Sequence, residues 1–244
     1  KRIGVVGAGF MGAGITYVAA QAGIQVVLID RDIEAAEKGK AYSHKLMSDQ
    51  IMKGRAKSAD RDALLAKITT SADYSMLKGC DLVIEAVFED RDLKARVTRE
   101  SEALMNPKGV FASNTSTLPI TGLAEASARP DNYIGLHFFS PVDKMQLVEI
   151  IRGEKTSDFA VKLCLEYVHK IKKTPIVVND GRGFFTSRIF TSYLFEAFEM
   201  VAEGVSPALI ENCGKMTGMA TAPLAVADEV SLELVYKVMM QTEK

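Results

Sequence analysis

Apolar residues fall along this chain in two alternating rhythms. Residues 1–6 make a short apolar run, residues 13–22 carry a helical spacing, and residues 24–29 are apolar again before closing on Asp30. That succession predicts a strand, a helix and a second strand, all well buried. Residues 33–67 read differently. Two charged helical stretches, 33–53 and 59–67, flank a basic turn at 54–57, and their apolar positions are sparse. The pattern predicts a helical hairpin that projects from the core, either as a solvated arm or as a lid whose lysines meet an anionic substrate. Beyond it the chain predicts a strand at 81–87, a helix at 90–105 and a short strand at 110–112. Ser113-Asn114-Thr115-Ser116-Thr117 follows, and Pro119 opens a short helix that this cluster can cap. Strands at 132–139 and 146–152 are joined by a loop too short for a parallel crossover, so the pair should be antiparallel. A helix at 158–172 and a strand at 175–178 come next. From Phe184 the periodicity is only helical, with Phe185, Ile189, Leu194, Phe198 and Val201 on one face and further helices starting near Ser206 and Leu224.

The junction of the first strand and helix holds Gly7-Ala8-Gly9-Phe10-Met11-Gly12, a G-x-G-x-x-G spacing inside a βαβ unit with Asp30 after its second strand. Gly7 permits the tight turn, Gly9 lets backbone amides approach a pyrophosphate, and Gly12 lets the helix pack close. The phosphates would rest on the helix N-terminus, where unpaired N–H groups and the dipole favour anions. A glycine turn with no ligand is the alternative, but strand, helix and acid all stand where a dinucleotide needs them. Asp30 points to NAD, since its carboxylate accepts ribose hydroxyls and repels a 2′-phosphate; Arg31 beside it softens that preference. Strands alternating with helices thus predict an α/β fold with a Rossmann-type, doubly wound, mainly parallel sheet and a helical hairpin insertion. It spans 1–180 and is followed by a small all-helical domain at 181–244.

Composition adds limits. With 244 residues, 48% hydrophobic and 25% charged, the chain suits one large domain and a small one. A formal charge of −1 gives no global pull toward nucleic acid or an anionic membrane. Cys80, Cys164 and Cys213 are widely spaced, which suggests a reducing compartment and no metal site. No apolar stretch reaches the roughly 18–20 residues of a membrane span. The first strand starts at once, without a Met, and residues 231–244 read as mid-helix without a cap. The chain is expected to be a segment of something longer.

His44 and His169 lie in charged helices, where solvent accounts for them. His137 stands at the C-terminal end of a strand, where open α/β sheets bind ligands, although a histidine among phenylalanines also suits a core. Glu149, inside Leu147-Val148-Glu149-Ile150-Ile151, is costly there without a partner. A hairpin symmetric about Asp143 places His137 and Glu149 opposite one another. The carboxylate would fix the imidazole tautomer and stabilise the imidazolium, making a general base of the kind an alcohol dehydrogenase needs. A buried ion pair holding the hairpin is the other reading.

Together, Gly7–Gly14 with Asp30, Glu85-Ala86-Val87-Phe88-Glu89, Ser113-Asn114-Thr115-Ser116, His137-Phe138-Phe139-Ser140-Pro141 and Gly183-Phe184-Phe185 resemble the L-3-hydroxyacyl-CoA dehydrogenase family. The likeness covers essentially the whole chain and is greatest to the dehydrogenase part of multifunctional fatty-acid oxidation enzymes. It implies His137 as catalytic base and Glu149 as its partner. Ser116 would hydrogen-bond the substrate 3-oxygen, although helix capping alone also explains it. Glu89 would lie on the nicotinamide side of NAD and Lys94 near cofactor and substrate, whereas the helix alone makes Lys94 a surface lysine. Phe10, Met11 and Asn114 join the cofactor set, and the 33–67 hairpin would close over coenzyme A. Arg182-Gly183-Phe184 replaces the family's Pro-Gly-Phe, and Ser187-Arg188 its Asn-Arg. Ser187, with a shorter reach and one hydroxyl, would then hold the substrate oxygen directly or through a water. The second domain looks short for the family, as though a dimerising or capping portion were missing.

The resemblance implies an NAD-dependent oxidation of (3S)-3-hydroxyacyl-CoA to 3-oxoacyl-CoA in fatty-acid β-oxidation, without a metal. The partners would be an acyl-CoA, a fused or associated enoyl-CoA hydratase and thiolase, and a second copy in a homodimer. The setting would be bacterial-like cytoplasm, with an organelle matrix as the alternative. A dehydrogenase of a small 3-hydroxy acid without coenzyme A, and a non-catalytic NAD(H)-binding module, stand as the other function classes. Asp30 predicts that NADH binds more tightly than NADPH; a fluorescence titration in which NADPH wins would refute it.

Overall fold

The structure, a computed structural model, describes residues 2–230, so the expectation of a helix through 231–244 lies outside the described residues. Contacts divide the chain into two compact units, Lys1–Phe184 and Phe185–Lys244. In the first unit the elements run β1 (Arg2–Val6), α1 (Phe10–Gln21), β2 (Gln25–Ile29), α2 (Ile33–Met52), α3 (Ser58–Leu65), β3 (Ile68–Ser71), β4 (Leu82–Glu85), α4 (Arg91–Glu102), β5 (Val110–Ser113), α5 (Ile120–Leu123), β6 (Tyr133–Phe138), β7 (Leu147–Arg152), α6 (Asp158–Lys170) and β8 (Thr174–Asn179). The strands form one sheet in the order β3-β2-β1-β4-β5-β6-β7-β8. The first six in that order are parallel, β7 pairs antiparallel with β6, and β8 pairs parallel with β7. This is the doubly wound Rossmann-type architecture that the alternation of strands and helices predicts. β3 escapes the sequence pattern because only Ile68 of its four residues is buried.

Side chains alternate across the sheet, so each strand feeds two cores. One face buries Ile3, Val5, Val26, Leu28, Leu82, Ile84, Ala112, Leu136 and Ile150 with Ile15 and Val18 of α1 and Cys164 and Val168 of α6. The other buries Val6, Val27, Val83, Phe111, Tyr133 and Ile151 with Val97 of α4 and Ile120 and Leu123 of α5. Two residues beyond Val83 and Phe111, this second face turns polar at Glu85 and Ser113, and it carries His137 and Glu149 as well. The site-bearing residues are therefore the same alternation carried to the C-terminal end of the sheet.

The hairpin at 33–67 is helical as expected; its base is packed, and residues 48–63 are exposed or half-buried. α2 packs along α1, burying Ala36, Gly39, Ser43 and Met47 as a narrow stripe of mostly small side chains. Sparse apolar content did not mean detachment here, because a small residue lets the helix come close to the glycine loop and β2. At Gly39 a Cβ would stand 2.7 Å from that of Ala8. Tyr42 also donates to Asp143 Oδ1 at 3.1 Å, tying the arm to the β6–β7 turn.

The first unit keeps residues 181–184. Asp180 accepts from the Ile120 and Thr121 amides at 2.9 and 2.8 Å, and Phe184 is buried in the second core. The second unit comprises, among the described residues, α7 (Thr186–Ala202), α8 (Pro207–Met216) and α9 (Pro223–Val230). The apolar face expected on α7 is only partly used: Leu194 is buried, while Phe185, Ile189 and Val201 are exposed. Short helices bury one stripe each, and this one centres on Leu194 and Ala197. No described helix is long and apolar enough to cross a membrane.

α6 ends in a pattern that usually takes glycine. The Lys172 amide donates to the His169 carbonyl at 2.9 Å and the Lys173 amide to that of Val168 at 3.1 Å, the paired bonds of a Schellman motif, with Lys172 at φ 59°. α1 ends the same way on Gly23, at φ 80°. A side chain in the left-handed region costs about 1–2 kcal/mol, against about 0.5–1 kcal/mol of extra chain entropy for glycine. Lys172→Gly is therefore expected to stabilise the protein by about 0.5–1 kcal/mol, read as a higher midpoint in urea unfolding; a lower one would refute the assignment.

Candidate active site

The glycine loop is shaped by close approach. Gly7 sits at φ 98°, where a Cβ would also lie 2.6 Å from the Ala86 carbonyl oxygen. At Gly12 a Cβ would stand 1.7 Å from the Gly7 carbonyl oxygen, so α1 can start here only without a side chain. A Cβ at Gly9 would meet nothing within 4 Å, and no side chain caps the N-terminus of α1. An open hollow beside uncapped amides is what a pyrophosphate needs, so these residues fit a dinucleotide. Asp30 Oδ2 accepts from the Ala8 amide at 2.6 Å and Oδ1 from the Arg31 amide at 2.7 Å, which pins the loop to the end of β2. Arg31 turns its guanidinium to Asp32 at 3.1 Å, away from Asp30. Phe10 is exposed and stands edge-on to Tyr42, with ring centroids 5.7 Å apart, and Met11 is half-buried.

At the other end of the same edge, β6 and β7 pair His137 with Glu149. His137 Nδ1 lies 2.7 Å from Glu149 Oε2, with the Glu149 side chain fully buried and the imidazole 8% exposed. A carboxylate on Nδ1 holds that nitrogen protonated and leaves Nε2 to accept a proton. Phe139 and Phe184 flank the ring, their centroids 4.4 and 6.0 Å from its own. The turn between the strands is held from beneath: the buried Lys173 ammonium donates to the Val142 and Met145 carbonyls, each at 2.5 Å. Burial pushes the Lys173 amine down, and the nearby Asp143 carboxylate offsets only part of that.

Between these ends lies an acidic cluster. Asp90 caps α4 by accepting from the Leu93 amide at 2.8 Å, which places Lys94 on the first turn, facing the sheet. The reading of Lys94 as a surface lysine fails. α4 buries Lys94, Val97, Thr98, Ser101 and Glu102, an inward stripe at helical spacing that is polar in four of its five members. The Lys94 ammonium, 1% exposed, donates to Glu85 Oε1 at 2.7 Å and lies 3.2 Å from Glu89 Oε2. Glu89 Oε1 accepts from the Ser116 and Thr117 amides at 3.0 and 3.2 Å and from the Thr115 hydroxyl. Burial pushes the Glu89 carboxyl up, but the Lys94 ammonium and these hydrogen bonds outweigh it and hold it below its ordinary value. Ser116 itself is exposed. Asn114 straps β5 to β6, its side-chain oxygen accepting from the Phe138 amide at 2.9 Å. Ser187 lies on the first turn of α7, in the second unit.

Residues 2–181 match the 3-hydroxyacyl-CoA dehydrogenase NAD binding domain, and residues 183–244 match that family's C-terminal domain. The chain belongs to the 3-hydroxyacyl-CoA dehydrogenase family. Its first unit matches the family's NAD binding domain almost throughout. The chain is 39% identical to the fatty acid oxidation complex subunit alpha of Shewanella baltica over 245 aligned positions, all of this chain and 35% of that protein. It thus spans about a third of the length of such relatives. A probable 3-hydroxybutyryl-CoA dehydrogenase from Deinococcus radiodurans is 40% identical across 98% of this chain and 86% of its own. The crystal structure of an (S)-3-hydroxybutyryl-CoA dehydrogenase from Ralstonia eutropha superimposes with a TM-score of 0.93 at 37% identity, covering 98% of this chain and 85% of that one.

Glu85 and Lys173 stand outside the residues that the sequence offers as a site. For Glu85 a signal existed, since a carboxylate closing Leu82-Val83-Ile84-Glu85 raises the same question as Glu149. Lys173 gave none. For the cofactor half, Gly9→Ala is expected to leave thermal unfolding unchanged, because its methyl meets no protein atom. The same methyl would fill the hollow and weaken NADH at least about tenfold by fluorescence titration. Unchanged affinity would move the pyrophosphate elsewhere.

Proposed function

We propose that this chain oxidises a (3S)-3-hydroxyacyl-CoA to the 3-oxoacyl-CoA, and that the His137–Glu149 pair carries the chemistry. Bound NAD⁺ supplies the acceptor for the hydride that leaves C3. His137 Nε2 takes the proton of the substrate hydroxyl. Glu149 accepts the Nδ1–H bond throughout and stabilises the imidazolium as it forms, from a position no solvent reaches. Ser116 offers its exposed hydroxyl to the substrate oxygen, on a loop whose backbone Glu89 holds. α2 and α3 form the wall toward coenzyme A. The observation favouring this reading is the 2.7 Å pair itself at the C-terminal edge of the sheet, where a plain NAD-binding module has no use for it.

A four-carbon thioester is the first substrate to try, because two similar proteins carry that substrate in their names. The likeness to alpha subunits of fatty acid oxidation complexes supports a place in fatty-acid oxidation. There an enoyl-CoA hydratase would make the 3-hydroxy thioester and a thiolase would consume the 3-oxo product. The bacterial relatives favour the cytoplasm as the compartment.

NADH oxidation is expected with acetoacetyl-CoA and not with free acetoacetate. Activity with both would favour a small 3-hydroxy acid dehydrogenase, and activity with neither a binding module. General base assistance is worth about 10²–10⁴-fold, so His137→Gln should lose that much turnover while NADH affinity holds. Glu149→Gln should depress turnover far more than it lowers the unfolding midpoint. Wild-type turnover in His137→Gln would end the mechanism, and parallel losses in Glu149→Gln would make the pair structural.

A further inference from the structure

One buried carboxylate remains without a task. Glu85 is fully buried at the end of β4, too deep to meet a substrate or cofactor, yet every contact it makes leads to the site. Its Oε1 accepts from the Val87 amide at 2.8 Å and from Lys94 Nζ at 2.7 Å. Its Oε2 accepts from the Ser113 hydroxyl at 2.8 Å, and its backbone carbonyl from the Asn114 amide at 2.8 Å. Two routes leave this residue. Through Lys94 and Glu89 it reaches the Ser116 and Thr117 amides. Through Ser113 and Asn114 it reaches the amide of Phe138, next to His137.

We infer that Glu85 is a positioning residue, one carboxylate that sets both the loop presenting Ser116 and the strand end carrying His137. A buried ion pair is weak as a source of stability, because desolvation of both charges opposes their attraction, and well-packed apolar residues often replace such pairs without loss. Position is the better account of its place here. Lys94 is wholly enclosed, so its ammonium acts by fixing where two carboxylates stand. Glu89, about a third exposed, is the one of the two that can transmit that position to the surface. The strands reinforce the geometry, since Glu85 is the direct register partner of Ser113 across the β4–β5 ladder. What is being positioned rests on the dehydrogenase reading above; that Glu85 does the positioning does not.

The test compares Glu85→Gln with the double variant Glu85→Gln/Lys94→Met in the full chain. Glutamine keeps the shape and can still accept from Val87, but it removes one of the two carboxylates that fix Lys94 and leaves the ammonium to Glu89 alone. The single variant should lose at least about tenfold in kcat with acetoacetyl-CoA, as expected of small displacements at a reacting centre, with KM for NADH little changed. The double variant removes the ammonium as well, so kcat should stay low, because Glu89 has then lost its lysine. Hydrogen exchange at the Ser116 and Thr117 amides should be faster than wild type in both variants. Wild-type kcat in either variant, or amides protected as in wild type, would overturn the inference. Should the unaltered protein fail to turn over the thioester, the functional reading falls and the amide exchange still decides this one.

Discussion

A carboxylate sealed inside an apolar layer must find a partner, and much of this site follows from that single demand. Glu85 and Glu149 both lie on the second face of the sheet with no exposure, Glu85 closing an otherwise apolar strand and Glu149 flanked by apolar residues within its own. Water cannot serve them, so donors have to come from the protein. Glu149 is met by His137 across one rung of an antiparallel ladder, and Glu85 by Lys94 from a helix and Ser113 from the next strand. The groups brought in to satisfy the carboxylates are those that the chemistry then uses or leans upon.

The cofactor half is assembled by different physics. There the governing term is steric, a loop and a helix start so close that only glycine fits at two points, with a hollow left beside the third. Asp30 locks this loop to β2 through the Ala8 amide. The two halves meet along the C-terminal edge, where parallel strands deliver their loops and where the ends of β4, β5 and β6 are sewn together by Ser113 and Asn114. Steric exclusion and polar satisfaction meet at one point, since a side chain at Gly7 would press on Ala86 and Val87, beside the amide that Glu85 holds.

Much of this was legible in the chain. The dinucleotide turn showed because glycine spacing, strand and acid are all local, and the His137–Glu149 register showed because a short hairpin leaves one symmetric pairing, which the strands adopt. What stayed hidden depends on packing between distant segments. α4 reads as a solvent helix because its inward stripe is polar, and only the acidic strand end beneath it explains why Lys94 faces in. α2 reads as a free arm because Ala36, Gly39 and Ser43 carry little hydrophobic signal, although their smallness is what admits a close neighbour. β3 is too short and too polar to announce itself. On α7 the reverse holds: an apolar stripe is present, yet Phe185 and Ile189 are left exposed.

Lys173 sets a limit on how this architecture can drift. Its ammonium is spent on two carbonyls of the turn that separates the imidazole from its carboxylate. An insertion or deletion in that turn would disturb both bonds together around a buried amine. Length variation over generations has to be taken up elsewhere, and the exposed basic turn between α2 and α3, which no catalytic pairing crosses, can absorb it at little cost. The hairpin that joins the acid–base pair is thus among the least extensible parts of the chain, although by sequence it looks like an ordinary loop.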